Sequence, residues 1–323
     1  MKLLAFKAML AAVALSAGGA SFAQDYPNRP VSIISPFPPG GAADVVVRII
    51  AQKLTENTGT SFVVDNKAGA GGAIGTDYVA RAAPDGYTLV LTSSSTMSIN
   101  PNLSAKTPYD PFKSFTPIVF VGYAPNVLVV NPGLKVNSVQ ELIAAAKAAP
   151  GKLNFGSNGV GTLSHLTIEL FKRSAGIDVL HVPYKGAAPV VADTASGQVA
   201  ALFTGYPSAL PMLKSGKLRA LGVTSTKRIA LAPELPTIAE SGLPGFEAIQ
   251  WWGLWGPAGL PKPIVDRLNA EMNKVLSSPE TKKRFAQESV ELAGGTPEDL
   301  TAYLRTDYDR WAKVAKEGNI RLE

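Results

Sequence analysis

The sequence predicts an α/β protein built on parallel strands. Short apolar runs end in Gly-, Ser- and Pro-rich turns that lead into helical patterns. The unit recurs, first as Val31–Ser35 with Pro36–Gly41, then as Lys152–Phe155 with Gly156–Thr162. Such runs, bounded by turn residues, read as strands buried on both faces. Strands that alternate with helices build a parallel sheet.

The opening unit organises the rest. Val31–Ser35 is a strand, and a helix runs from Ala42 to about Thr58. Between them Pro36, Pro38 and Pro39 stiffen the turn and withhold N–H groups. Gly40 and Gly41 allow close approach of a ligand to the backbone, and Phe37 lies beside them. Gly41, Ala42 and Ala43 present N–H groups at the positive end of the helix dipole, a setting that favours a carboxylate or another anion. No Gly-Lys-Ser/Thr follows, and the third glycine of a dinucleotide fingerprint is missing. The competing reading is a plain strand–helix connector. Asp44 either lines the site or complements the dipole and pairs with Arg48 one turn on.

Phe62–Asn66 is the second strand. Gly69–Gly75 is a flexible turn opening a helix over Ala73–Ala83, with Ile74 where a nucleotide loop would need glycine. Thr88–Thr92 is a strand running into Ser93, Ser94, Ser95 and Thr96. One of these hydroxyls caps the next short helix, and the others are spare. They stand at a strand's carboxyl end, where open α/β sheets bind ligands.

Asn126–Val130 is a strand, and Ser138–Ala149 is a helix with Ser138 as cap and Glu141 as its capping-box partner. The second glycine turn, with Ser157, Gly159, Gly161 and Thr162, opens the helix Leu163–Ser174 and forms the second candidate wall of an anion site. His165, in the first turn of that helix, lines the site or hydrogen-bonds on the helix surface. His181, in the strand Val179–Val182, is structural. Pro189–Ser196 is a helix, and Val199–Thr204 and Leu218–Thr224 are strands, the former followed by Gly205 and Tyr206. Trp251, Trp252 and Trp255 pack domains together or stack on a planar ligand. Helices over Pro263–Leu276, Pro279–Glu288 and Pro297–Glu317 complete the chain.

Composition narrows the function. Residues 1–23 read as a signal peptide: Lys2 and Lys7, an apolar Ala8–Ala17 too short to span a membrane, and small residues at Ser21 and Ala23. The chain has no cysteine, which removes disulfides, thiolate metal sites and a lipid anchor. Of 31 lysines and arginines, Lys2 and Lys7 fall in the leader, which leaves 29 against 25 acids, a surplus of four. The basic residues are scattered, so nucleic-acid binding has no support. Neither histidine has metal-ligand spacing, and no Gly-x-Ser-x-Gly elbow occurs. No cofactor or metal is expected, and the reading is not an enzyme. The alternative kept open is a secreted serine-type hydrolase using Ser93–Thr96 with His165.

Several stretches in order resemble the tripartite tricarboxylate transporter substrate-binding (Bug) family over nearly the whole mature chain. They are Pro36–Asp44, Asp65–Gly72, Pro84–Leu89, His181–Gly186, Gly216–Leu221 and Leu235–Glu240. The resemblance implies a two-lobed periplasmic binding protein of the Venus-flytrap type, with two Rossmann-like α/β domains joined by a two-strand hinge. Domain 1 would be discontinuous, residues 25–125 plus 246–323, and domain 2 would be residues 126–245. It also implies a small carboxylate held between the two glycine loops, and a monomer serving an inner-membrane transporter of a large and a small subunit. A ligand-presenting sensor role without transport is the variant reading. Many members carry an acid after the strand that here ends in Thr204. Without it an amino-acid ligand loses its partner, and Phe37 with Tyr206 suits a dicarboxylate or an aromatic carboxylate.

Overall fold

The computed structural model describes residues 26–40 and 42–321. The signal-peptide reading of residues 1–23, and Gly41, lie outside the described residues. The elements follow the α/β alternation. They are β1 (Val31–Ser35), α1 (Ala42–Thr58), β2 (Phe62–Asn66), α2 (Ala73–Ala80), β3 (Thr88–Ser93), α3 (Asn100–Leu103), β4 (Phe115–Val130) and α4 (Val139–Ala148). Then come β5 (Asn154–Ser157), α5 (Leu163–Ala175), β6 (Leu180–Pro183), α6 (Ala187–Ser196), β7 (Ala201–Gly205), α7 (Tyr206–Lys214) and β8 (Arg219–Val223). Last are β9 (Ile249–Pro257), α8 (Lys262–Ser277), α9 (Pro279–Gln287), β10 (Glu291–Leu292) and α10 (Pro297–Glu317). No helix among the described residues is long and apolar enough to cross a membrane.

One strand ties the molecule together. The main strand order is β2-β1-β3-β9-β4-β7-β5-β6, with β8 and β10 also on β4. The first part of β4, Phe115–Pro125, pairs with β9, and its last part, Asn126–Val130, pairs with β7 and β8. The partner change at Pro125/Asn126 divides the sheet into two lobes. A second link lies beside it: Ala248 N–H donates to the Thr224 carbonyl, and Thr224 Oγ1 donates to Ala248. The protein thus has the two-lobed α/β fold that the sequence reading expected.

Each lobe is a sheet with helices on both faces, and the period of two along its strands decides which face each side chain joins. In the first lobe Ile33, Leu89, Leu91 and Trp252 pack with Val46, Ile50, Leu268 and Met272 of α1 and α8. Ile34, Val90, Trp251 and Trp255 pack on the other face with Val79, Leu300 and Leu304. The three tryptophans are at most 2% exposed and split between the two faces, so they build the core and do not form one stacking surface. In the second lobe Leu128, Val130, Phe155 and Phe203 face Leu166 and Phe171 of α5, while Val127, Val129 and Leu202 face Val190 and Ala209. The last turns of α10 join the second lobe: Trp311 and Val314 sit in the cluster of α5, and Arg173 is ion-paired with Glu317.

Local deviations have local causes. Ser138 caps α4 by accepting the Glu141 N–H at 3.1 Å, but Glu141 reaches back to the Asn137 N–H at 2.7 Å, so the reciprocal half of the expected box is shifted by one residue. The helix expected to run to Ala83 ends at Ala80, ahead of Pro84.

Candidate ligand-binding site

Sheet register brings the strand-end loops of the two lobes face to face. Strands β1, β2 and β3 are parallel, and β3 runs antiparallel to β9, which runs antiparallel to β4. β3 therefore runs with β4, and its carboxyl end points at the lobe junction. Ser93 pairs with Trp252, and Trp252 with Gly122. Beyond the junction β7 is antiparallel to β4, with Gly205 paired to Asn126, and β5 and β6 run with β7. The carboxyl ends of both lobes' parallel strands thus converge on the segment between Gly122 and Asn126, a spacing of roughly 13 Å along an extended strand.

In the first lobe the three strand-end loops are locked to one another. A Cβ on Gly72 would stand 2.6 Å from Thr96 Cγ2 and 3.2 Å from the Phe37 ring, so the loops after β1, β2 and β3 meet at that glycine, whose φ is +96°. Asn100 Nδ2 donates to the Gly71 carbonyl at 2.9 Å. Asp44 holds the opening loop. Its carboxylate accepts from the Gly40 N–H at 3.0 Å, from Arg48 Nε at 2.8 Å and from Asn66 Nδ2 at 2.8 Å, and Asn66 also donates to the Phe37 carbonyl. The Arg48 guanidinium, helped by Asn66 and the Gly40 N–H, lowers its pKa to about 2. Both carboxylate oxygens are thus used inside the loop, in line with the pairing of Asp44 to Arg48.

The hydroxyl cluster leaves spare groups, as expected, but none of its side chains caps the helical turn that follows, because Thr96 folds back on the strand end instead. Thr96 Oγ1 accepts the Ser93 N–H and donates to the Ser93 carbonyl, closing the turn. Ser93 and Ser94 are fully buried, and their hydroxyls have no partner among the described residues. Ser35, the last residue of β1, is in the same state. Ser95 is half-buried beside them.

In the second lobe most of the loop's polar groups serve the loop itself. Thr162 caps α5, accepting the His165 N–H and donating to the Gly159 carbonyl at 2.7 Å. Ser157 Oγ accepts the Gly159 N–H and lies 2.7 Å from His181 Nε2. The Gly161 N–H donates to His165 Nδ1 at 3.1 Å, which leaves the ring proton of the neutral imidazole on Nε2. The rings of His165 and His181 stack, and burial pushes the pKa of each down to about 4. What this lobe leaves without a partner is the fully buried Thr204 hydroxyl and the Asn158 side-chain oxygen. Tyr206 opens α7 and packs partly buried against Val223 and Ile229.

Buried polar atoms without partners are rare, and a cluster of them marks a place where something outside the chain supplies the hydrogen bond. Ser93, Ser94 and Thr204 were legible candidates. Ser35 and Asn158 were missed, although Ser35 ends a strand that the sequence reading had placed and Asn158 lies in the glycine turn it had singled out, the signals that could have found them. Among the described residues no lysine or arginine bonds any of these five groups. No cluster of three His, Asp or Glu among the described residues can hold a metal ion.

Known proteins agree in kind. The model of the tripartite tricarboxylate transporter family receptor matches residues 46–320. Protein BugT of Bordetella pertussis is 40% identical over 302 residues, covering 93% of this chain and 93% of BugT. The solved structure of Rpa4515 of R. palustris with adipate is 38% identical, with a TM-score of 0.81, covering 92% of this chain and 99% of that one. MatC of Rhodopseudomonas palustris with bound malate is 30% identical, with a TM-score of 0.76, over 90% of this chain and 99% of that one. The matched family is one of receptors, not enzymes, and the hydrolase alternative falls with it. With a match spanning most of its length and relatives similar from end to end, the chain belongs to the tripartite tricarboxylate transporter receptor family.

Proposed function

We propose that this receptor captures a small carboxylate, with a dicarboxylate or an aromatic carboxylate favoured, between its lobes. The observation that carries the reading is the set of buried, unpartnered hydroxyls of Ser35, Ser93, Ser94 and Thr204 at strand ends that face one another across the junction. Helices α1 and α5 start beside them and add N–H groups at their positive ends. A carboxylate at each mouth uses both, which fits a diacid, and the relatives solved with adipate and malate carry diacids. Hydrogen bonds to a charged group contribute about 1.5–3 kcal/mol each. Three or four approach the ~8 kcal/mol of micromolar binding, before ordering costs. Thr204 offers no charge to an ammonium group, which disfavours amino acids.

The lobes are proposed to close as units made of residues 25–125 plus 246–323 and residues 126–245, pivoting where β4 changes partners; the end of α10 follows the second lobe. A monomer acting in the periplasm after removal of residues 1–23, and handing its ligand to a membrane transporter, completes the reading. Calorimetry on ligand-stripped protein tests it. Adipate, malate, benzoate and glutamine are titrated in turn, and the reading expects heat from an acid and none from glutamine. Tight glutamine binding with no response to any acid overturns it.

A further inference from the structure

Outside the strand-end site, two adjoining cavities of about 300 Å³ and 340 Å³ share Ile229, Ala230 and Glu291. One wall is the loop that follows β8 in the second lobe. The other is the end of α9 and the strand β10, which pairs with β4 at Gly122–Tyr123 in the first lobe. The groove is therefore built from both lobes, beside the segment where β4 changes partners, and its combined size is that of a small-molecule site.

Ser289 lines this groove and is unusual in two ways. Its φ is +57°, although it is not glycine. The conformation itself has a structural cause. Ser289 N–H donates to the Ala286 carbonyl and Val290 N–H to the Phe285 carbonyl, the double bond of a helix C-cap in which glycine is the usual residue. The cap needs the backbone and not the hydroxyl. Yet Ser289 is only 8% exposed, and its Oγ has no partner among the described residues. Neither the turn nor the packing explains why a serine stands there.

The remaining lining names the partner's chemistry. Ile229, Val290, Leu292 and the exposed Leu231 supply an apolar floor. Lys227 and Lys282 stand exposed at its edges, with Glu291 as the one acid; Arg228 is held by Glu240. We infer that this groove is a second binding site, for an amphiphilic monocarboxylate whose apolar body lies on Ile229 and Val290, with the Ser289 hydroxyl and the lysines taking the acid. Its lining shares none of Ser35, Ser93, Ser94 and Thr204, and it does not depend on what the strand-end site binds.

Octanoate is the probe, titrated by calorimetry into the full mature protein. The expected result is one binding event that Ala286→Trp, which fills the groove from an exposed helix position, abolishes. Ser289→Gly relieves the left-handed backbone, so its melting temperature is expected to hold or rise, while octanoate affinity falls by about tenfold or more, the share of one hydrogen bond to a charged group. The double variant Ser93→Ala/Ser94→Ala is expected to leave octanoate binding unchanged. No octanoate binding at millimolar concentration overturns the inference. So does full affinity in Ala286→Trp, or loss of octanoate binding in Ser93→Ala/Ser94→Ala, which would put the acid in the strand-end site.

Discussion

The imidazole rings of His165 and His181 lie 4.0 Å apart between centroids and 10° from parallel. The pair joins the first turn of α5 to β6 and, through Ser157 and Gly161, to the glycine loop between them. Burial lowers both pKa values, and each ring's charge would raise the cost of the other's. An unfolded histidine titrates near 6.5, so below that pH the unfolded chain binds protons that the folded chain refuses. Stability is therefore lost as pH falls from about 6.5 toward 4, by at most about 1.4 kcal/mol per pKa unit for each ring. Melting temperatures measured from pH 7 to 4 are expected to drop more steeply in the wild type than in His165→Asn/His181→Gln. Parallel curves would contradict the pair as their source.

Asp44 predicts a loop effect. Removing its carboxylate in Asp44→Ala leaves the Gly40 N–H and Arg48 without their acceptor, at a cost of about 2 kcal/mol. Chemical denaturation reads the loss. Protease cleavage in the Pro36–Gly41 loop is expected to rise with it, since the loop's anchor is gone.

The unpartnered hydroxyls predict the opposite sign. Thr204→Val and Ser35→Ala remove buried polar atoms that bond nothing among the described residues, so the free protein is expected to melt at the wild-type temperature or above. Thr162→Ala is the contrast: its hydroxyl caps α5, and its loss costs about 1 kcal/mol in the free protein. A fall in the melting temperature for Thr204→Val of the size seen for Thr162→Ala would give the hydroxyl a structural role.

Gly72 tests whether the first lobe's loops act as one surface. A methyl group there would meet Thr96 and Phe37, and a left-handed alanine costs a further 1–2 kcal/mol or so. Gly72→Ala is expected to weaken ligand binding by more than tenfold at modest cost to the melting temperature. Unchanged affinity would separate Gly72 from the site.

Much of this was legible in the sequence because apolar runs and breakers agreed. β1, α1 and α10 have the bounds that their caps and apolar spacing predict. β4 was legible only from Asn126 onward. Pro117, Gly122 and Pro125 interrupt its first half, and its register with β9 shifts twice there, so a strand built for bending carries no clean alternation. α7 was hidden by Pro207 and Pro211, the latter inside the helix. β9 was obscured by its tryptophans: Trp251 and Trp252 are adjacent and serve opposite faces, so a strand buried on both sides shows no alternation, and the cluster read as domain packing or ligand stacking. At the site, position along the strand was the useful signal: Ser93 and Ser94 were found through it. Ser157, Thr162 and Asp44 were chosen for their chemistry, and tertiary bonding inside the loops absorbs that chemistry.

The central claim is that buried hydroxyls from both lobes grip one carboxylate ligand. Calorimetric titration of the double variant Ser94→Ala/Thr204→Val, one change in each lobe, with the acid that binds the wild type tests it most directly. The account predicts a fall of about a hundredfold or more in affinity, the sum of two hydrogen bonds to a charged group of at least about 1.5 kcal/mol each, with an unchanged melting temperature for the free protein. Wild-type affinity in that variant would contradict it.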